Sequence, residues 1–204
     1  MPSIITHAAV PLALWCAADR GRISPRLLAA GVIAAMLPDA DVLAFALHVP
    51  YADAFGHRGA SHSLLFAFVL AALAALATLL SLGRGRPWPA LSCQPRLAAT
   101  TQTPGSASIA QAAVFVFVCA ASHPLLDAMT SGGLGVALAW PWSEQRFFAP
   151  WRPIRVSPFA PQFFSARGLA TLLSELRWVW LPLAGAVVAW KLMQPAPAAP
   201  RDPS

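Results

Sequence analysis

Seven ionisable side chains lie inside or at the edges of the most apolar stretches of this chain: His7, Asp39, Asp41, His57, His62, His123 and Asp127. Taking such groups out of water is costly unless they are paired or bound to an ion. Imidazole and carboxylate are both metal-ligand types, and the mixture suits zinc, iron or manganese better than calcium or magnesium. Seven candidates exceed what one tetrahedral ion needs, and are enough for a two-metal site. Such a site would acidify a water and clamp a phosphoryl or acyl oxygen. One intramembrane histidine by itself is more often a hydrogen bonder between helices than a ligand, and only the joint pattern argues for a metal.

The spacings carry further expectations. His123 and Asp127 are four residues apart, so on a helix they share a face. Pro124 between them is expected to restart the helix, with His123 at its N-cap. Asp39 and Asp41 cannot share a face of a regular helix, and Pro38 predicts a broken backbone that lets both point inward. Irregular backbone at membrane depth is tolerated where it lines a cavity. His57 and His62 need a non-helical stretch, which Gly56 and Gly59 can supply. Arg58 either pairs with a site carboxylate or binds a substrate phosphate. His48 reads as interfacial, and Asp19 and Asp53 as solvated loop charges.

The elements that must position these residues are membrane helices. Of the 204 residues, 57% are hydrophobic and 11% charged, against about 25% charged in soluble domains. Residues 64–82 contain no charge and are long enough to cross a hydrocarbon core. Residues 27–47, 109–129 and 178–193 are further apolar segments, and 4–18 is a shorter one. The start has no basic stretch before its apolar run and reads as a retained first helix, not a signal peptide. The expected fold class is therefore all-α, a polytopic membrane bundle of about four or five helices. Residues 92–108 read as a polar loop, and 131–177, dense in Pro, Gly, Trp, Phe and Arg, as an amphipathic loop capping the bundle. Residues 1–194 form the expected domain, and 195–204 a disordered tail. Cys16, Cys93 and Cys119 are too few and too scattered for a disulfide framework.

Threading five segments back and forth brings every candidate ligand to the same end of the bundle. His7 starts the first segment, Asp39 and Asp41 sit late in the second, His57 and His62 enter the third, and His123 and Asp127 sit late in the fourth. Randomly scattered polar residues would divide between the two ends. The opposite end holds Arg20, Arg22 and Arg26 in a short loop, and Arg84, Arg86 and Arg96. Positive residues in short loops face the cytoplasm, which puts the ligand end in the periplasm. The basic residues lie between apolar segments, so they suit lipid headgroups and not nucleic acid. Arg146, Arg152 and Arg155 in the capping loop meet headgroups or an anionic substrate.

Five blocks, PSIITHAAV, LPDADVL, HRGASHSLLF, SHPLLDAMTSGG and FFAPWRPIRVSP followed by SELRWVWLP, resemble the bacterial YdjM-like family of inner-membrane metal-dependent hydrolases. They stand in the family's order and cover most of the chain. That family is remotely similar to the all-α zinc phospholipase C and nuclease enzymes. The resemblance implies a membrane hydrolase with metal ligands His7, Asp39, His57, His62, His123 and Asp127, and with Asp41 as a ligand or a base. No histidine follows Asp127, so the further downstream ligand motif of the zinc enzymes is missing. One or two ions are implied, zinc first and manganese or iron next. The expected activity is hydrolysis of a lipid-like or small-molecule phosphoester, with Asp41 and Arg58 as catalytic residues and membrane lipids as partners. The alternative is a non-enzymatic metal-binding or transport protein, which would place its sites near the bilayer midplane.

Overall fold

A computed structural model describes residues 1–19, 22–83, 108–158 and 162–194. Among them five helices make the architecture: α1 (Ile4–Ala17), α2 (Pro25–Ala46), α3 (Leu64–Gly83), α4 (Ile109–Ala128) and α5 (Ala166–Met193). The described residues contain no β-strand, only isolated bridges pairing Thr130 with Ile154 and Val136 with Phe147 in the loop after α4. The chain is thus all-α. Four helices, α2 to α5, are long and apolar enough to cross a membrane, and α1 is a shorter apolar helix. At 1.5 Å per residue, the 20 residues of α3 or α4 run about 30 Å, the thickness of a hydrocarbon core.

The helix starts follow from serine caps. Ser24 accepts from the Leu27 N–H, Ser63 from Phe66, Ser108 from Gln111 and Ser165 from Arg167. Each satisfies a donor that the first turn leaves without a partner. α4 packs between α2 and α3 on small side chains, with Ala34, Ala35, Ala67, Ala112, Cys119, Ala120 and Ala121 buried around Phe115 and Val116. Small residues let helix backbones approach closely where lipid offers no hydrophobic drive between helices. Gly31 is one such place, because an added Cβ would strike the Phe115 ring. α1 packs against α5, and Ala9, Ile154 and Val179 seal that pair to the end of α4 through Leu126 and Met129. Outward-facing Phe68, Leu73, Leu76 and Leu80 on α3, and Leu181, Val188 and Leu192 on α5, are exposed, as a lipid-facing surface requires.

Three local expectations are corrected. The last helix begins at Ala166, twelve residues before the apolar window at 178. Its first turns are amphipathic, burying Gly168, Thr171 and Glu175 while leaving Leu169 and Leu173 exposed, so hydropathy alone marks only the later part. The segment after α4 is a loop only up to that helix. α4 does not restart at Pro124: the helix runs through it to Ala128. The missing N–H removes one backbone bond near the helix end, and packing against α2 and α3 outweighs that loss. Nor is α2 broken at Pro38. It tightens into a 3-10 helix over Leu37–Val42, where Pro38 occupies the first turn and needs no N–H. The tail 195–204, residues 92–107 of the polar loop with Cys93 and Arg96, and Arg20, Arg84 and Arg86 lie outside the described residues.

Candidate metal centre

The 3-10 segment of α2 splits its two aspartates. Three residues per turn put positions two apart on different sides of the segment, so Asp39 and Asp41 serve different partners. Asp39 is buried and faces His123, whose Nε2 lies 3.5 Å from Asp39 Oδ1. Asp41 turns toward the loop that follows and accepts from His57 Nδ1, the Arg58 N–H (3.0 Å) and Ser61 Oγ (2.6 Å). It also lies 3.0 Å from His62 Nδ1.

That loop is tightly wound. Gly56 and Gly59 do not adopt positive φ; they are needed for close approach, since a Cβ at Gly56 would strike the Pro50 carbonyl and one at Gly59 the Ala54 carbonyl. The left-handed residue between them is Arg58, at φ 62°. Non-glycine residues rarely adopt this conformation unless their surroundings enforce it. Here the enforcement is visible. The Arg58 side chain is fully buried, with Nε 3.2 Å from Asp127 Oδ2, Nη2 donating to Thr130 Oγ1 and Nη1 donating to the Gly132 carbonyl, both at 3.1 Å. Of the two roles expected for Arg58, the geometry is that of pairing with a site carboxylate. Arg146 holds the same loop from outside by donating to the carbonyls of His57, Tyr51 and Asp53.

Four ligand-type side chains converge: Asp39, His62, His123 and Asp127, with one ligand atom from each lying within 4.8 Å of the others. His62 Nε2 is 2.9 Å from His123 Nε2, 3.2 Å from Asp127 Oδ2 and 3.9 Å from Asp39 Oδ1. His123 Nε2 is 3.9 Å from Asp127 Oδ2. Tetrahedral zinc with bonds of about 2.0–2.2 Å holds neighbouring ligand atoms roughly 3.3–3.6 Å apart, which is the middle of this range. All four residues are buried.

Both histidines are oriented by their other ring nitrogen. His123 Nδ1 sits 2.7 Å from the Ala35 carbonyl. A carbonyl only accepts, so Nδ1 carries the proton and Nε2 presents a lone pair to the cluster. Pro38 brings no N–H to that carbonyl three residues before it. His62 points Nδ1 at Asp41 and Nε2 at the cluster, the carboxylate–histidine–metal arrangement. Burial works against a charged His62, but the neighbouring carboxylates of Asp127 and Asp41 outweigh it and raise its pKa from 6.5 to about 9.

His7 lies beside the four. Its ring stacks on His123 with centroids 3.7 Å apart, and Nε2 is 3.7 Å from Asp39 Oδ2 and 3.8 Å from Asp127 Oδ1. These are the carboxylate oxygens opposite those facing His62 and His123. His57 is placed differently. It is buried, bonded to Asp41 and edge-on to His62, and stands outside the four-residue group. His48 and Asp53 are exposed, and exposed Asp19 pairs with Arg22.

Both nitrogens of His7 and all four carboxylate oxygens of Asp39 and Asp127 are buried without a hydrogen-bond partner. Orphaned buried polar atoms are rare and each one calls for a cause. Six in one cluster, all of metal-ligand type, fit a divalent cation.

Thr130 and Ser61, which hold Arg58 and Asp41, and Glu175, which is buried on α5, are residues that sequence reasoning missed. Glu175 had a signal: it is the sole acidic residue in 166–193, and intramembrane carboxylates are seldom idle. Thr130 and Ser61 had none beyond adjacency to the motifs.

Fold and site together define a multi-pass, all-α membrane protein with a buried His/Asp cluster at one end of its bundle. The chain belongs to the family described as YdjM inner membrane protein, which it matches over residues 1–198. Inner membrane protein YbcI of Escherichia coli (strain K12) is 46% identical over 183 residues, covering 89% of this chain and 92% of that relative. No solved structure matches the chain. Membership of this family and the apolar helices make it a multi-pass protein of the inner membrane.

Proposed function

We propose that this protein is a membrane-embedded metal-dependent hydrolase. The observation that supports it best is the cluster of orphaned buried carboxylate and imidazole atoms at ligand-like separations. Asp39, His62, His123 and Asp127 would hold zinc, or manganese or iron in its place, with His7 adding a ligand on the far side of the two carboxylates. A second ion would bind on that far side, where the Met1 amino nitrogen lies 4.0 Å from Asp127 Oδ1. A cation there supplies Lewis acidity toward a phosphoryl oxygen and acidifies water. The chain's own residues do the rest. Arg58 fixes Asp127 and offsets part of the negative charge. Asp41 orients His62 and sets which nitrogen faces the ion. The outer oxygens of Asp39 and Asp127, hydrogen-bonded to nothing in the protein, are placed to take a proton from water.

The substrate class that suits this site is a phosphoester of a lipid-like molecule. Support comes from the position of the ligands, at the start of α1, just before α3, and late in α2 and α4, and so at one face of the bundle. A transporter would centre its site between the faces. The exposed Trp142, Trp151 and Phe148 and the Arg152 guanidinium over the Phe148 ring line that same loop region, as an interfacial surface toward headgroups would. The ligand face is periplasmic in this reading. Reporter fusions after Arg86 and after Gly133 test the orientation, and activity in the opposite pattern reverses it.

The decisive experiment is metal analysis of detergent-purified wild type against His123→Ala, alongside turnover of a chromogenic phosphodiester with and without chelator. The expected result is bound zinc and chelator-sensitive turnover in the wild type, and neither in the variant. Equal metal in both proteins removes the metal centre. Metal binding without turnover, together with uptake of metal into proteoliposomes, replaces the hydrolase by a transporter.

A further inference from the structure

Glu175 is a buried carboxylate far from the metal cluster in sequence and, at 1% exposure, nearly sealed from solvent. It stands where α5 changes from α-helix to a π-helical turn, Leu176–Trp180. Such turns are uncommon and recur at functional positions. Its carboxylate accepts from the Ser3 N–H, from Ser3 Oγ at 2.6 Å and from Thr6 Oγ1 at 2.8 Å. Trp180 Nε1, one turn further along, donates to the same Thr6 oxygen at 3.1 Å. All the donors to Glu175 come from one short segment, and the residue after Thr6 is His7.

His7 differs from the other histidines of the centre. No hydrogen bond orients its ring, since both nitrogens lack a partner. Its place is set by the backbone on either side and by stacking on His123. On the N-terminal side the backbone is tied at Ser3 and Thr6 to Glu175, and at the Met1 carbonyl to the Ser157 N–H, 2.9 Å away. A carboxylate inside a membrane-spanning helix is costly, and three charge-assisted hydrogen bonds offset that cost. Gluing α1 to α5 alone would not require a charge, because the apolar cluster of Ala9, Ile154 and Val179 and the packing of the two helices already do that.

We infer that Glu175 is the positioning residue for His7: through Ser3 and Thr6 it holds the first residues across the cluster so that Nε2 of His7 faces the outer oxygens of Asp39 and Asp127. This rests on the metal-centre reading above. The test is a zinc titration of the full-length protein in detergent, competed against a chromophoric chelator, with size-exclusion profile and helicity checked for each variant. Glu175→Leu and Thr6→Val should each lower zinc affinity by about 10- to 100-fold, the range for outer partners of metal ligands. His7→Ala should lower it at least as far. The double variant Glu175→Leu/His7→Ala should bind no more weakly than His7→Ala alone. Glu175→Gln, which keeps an acceptor for the Ser3 N–H, should lie between wild type and Glu175→Leu. A purely structural glue would weaken zinc binding by the same factor with or without His7, and that additivity overturns the inference, as does wild-type affinity in Glu175→Leu. Should Glu175→Leu fail to fold, Thr6→Val, which keeps the side-chain shape, replaces it in the same cycle with His7→Ala. If His123→Ala binds zinc like the wild type, the metal centre itself is wrong, an outcome separate from those above.

Discussion

The two walls of the cluster are built by different means. On the wall formed by α2, α4 and the loop before α3, three of the four ligand-type residues have an orienting partner, His123 the Ala35 carbonyl, His62 the Asp41 carboxylate and Asp127 the Arg58 guanidinium, while Asp39 has none. On the wall formed by the first residues, His7 has no such partner, and only its backbone is held. Side-chain partners fix a rotamer and a tautomer together. Backbone tethers fix where a ring begins and leave its last torsion to packing. If the cluster holds an ion, the first wall would present it with mostly preset side chains, and the second with a ligand that adjusts when the ion arrives.

Substitutions can break this contrast, beginning with the most damaging. Arg58→Met takes the guanidinium from buried Asp127, leaving it only His62 at 3.2 Å and the more distant Met1 amine, and breaking a buried pair from one side typically costs roughly 3–5 kcal/mol. Thermal unfolding in detergent should show the metal-free variant much less stable, while Arg155→Met, at an exposed position, stays within about 0.5 kcal/mol of wild type. A small effect at Arg58 means that the ion pair does not support this wall. His123→Ala removes a ligand and its orienting bond, and zinc affinity should fall by more than the roughly 100-fold ceiling for outer partners. Asp41→Asn leaves all four ligands in place but weakens the acceptor for His62. Affinity should fall about 10- to 100-fold, and a loss as large as that of His123→Ala would make Asp41 a ligand instead.

The smallest effect is that of pH. With a folded-state pKa raised to about 9, His62 is charged in the metal-free protein near neutrality. Zinc must displace a proton to bind Nε2, so affinity should rise about tenfold per pH unit between pH 7 and 8. The metal-free fold behaves in the opposite sense. The raised pKa stabilises it fully below the ordinary value of 6.5, and that contribution is lost as pH rises through about 9. Calorimetry in buffers of different ionisation heat measures the released proton, and zero protons released near pH 7 contradicts a charged His62.

Much of this arrangement can be read along the chain, because hydropathy and residue type are local properties. The charge-free run beginning at Leu64 and the polar positions inside greasy segments mark helices and candidate ligands without any knowledge of neighbours. Alternating crossings then send those positions to one end, which follows from connectivity alone. Backbone detail was less accessible. Prolines mark weak points in a helix, but whether a helix breaks, tightens or runs on depends on what packs around it, as Pro38 and Pro124 show by doing different things.

The division of labour among the polar residues belonged to tertiary structure. Asp39 and Asp41 are equivalent as letters, yet one faces the cluster and the other holds His57 and His62, because a 3-10 turn separates their directions. His57 and His62 share one motif, but the contacts of the loop put only His62 in the four-residue group. Glu175 meets Ser3 and Thr6 across more than 160 residues of chain, a separation that no local pattern encodes. Composition and periodicity determined which segments are buried in lipid and which side chains could bind an ion. Which atoms meet, and which are left without a partner, was decided only when the helices packed, since hydrogen bonds act over about 3 Å in space and take no account of distance along the chain.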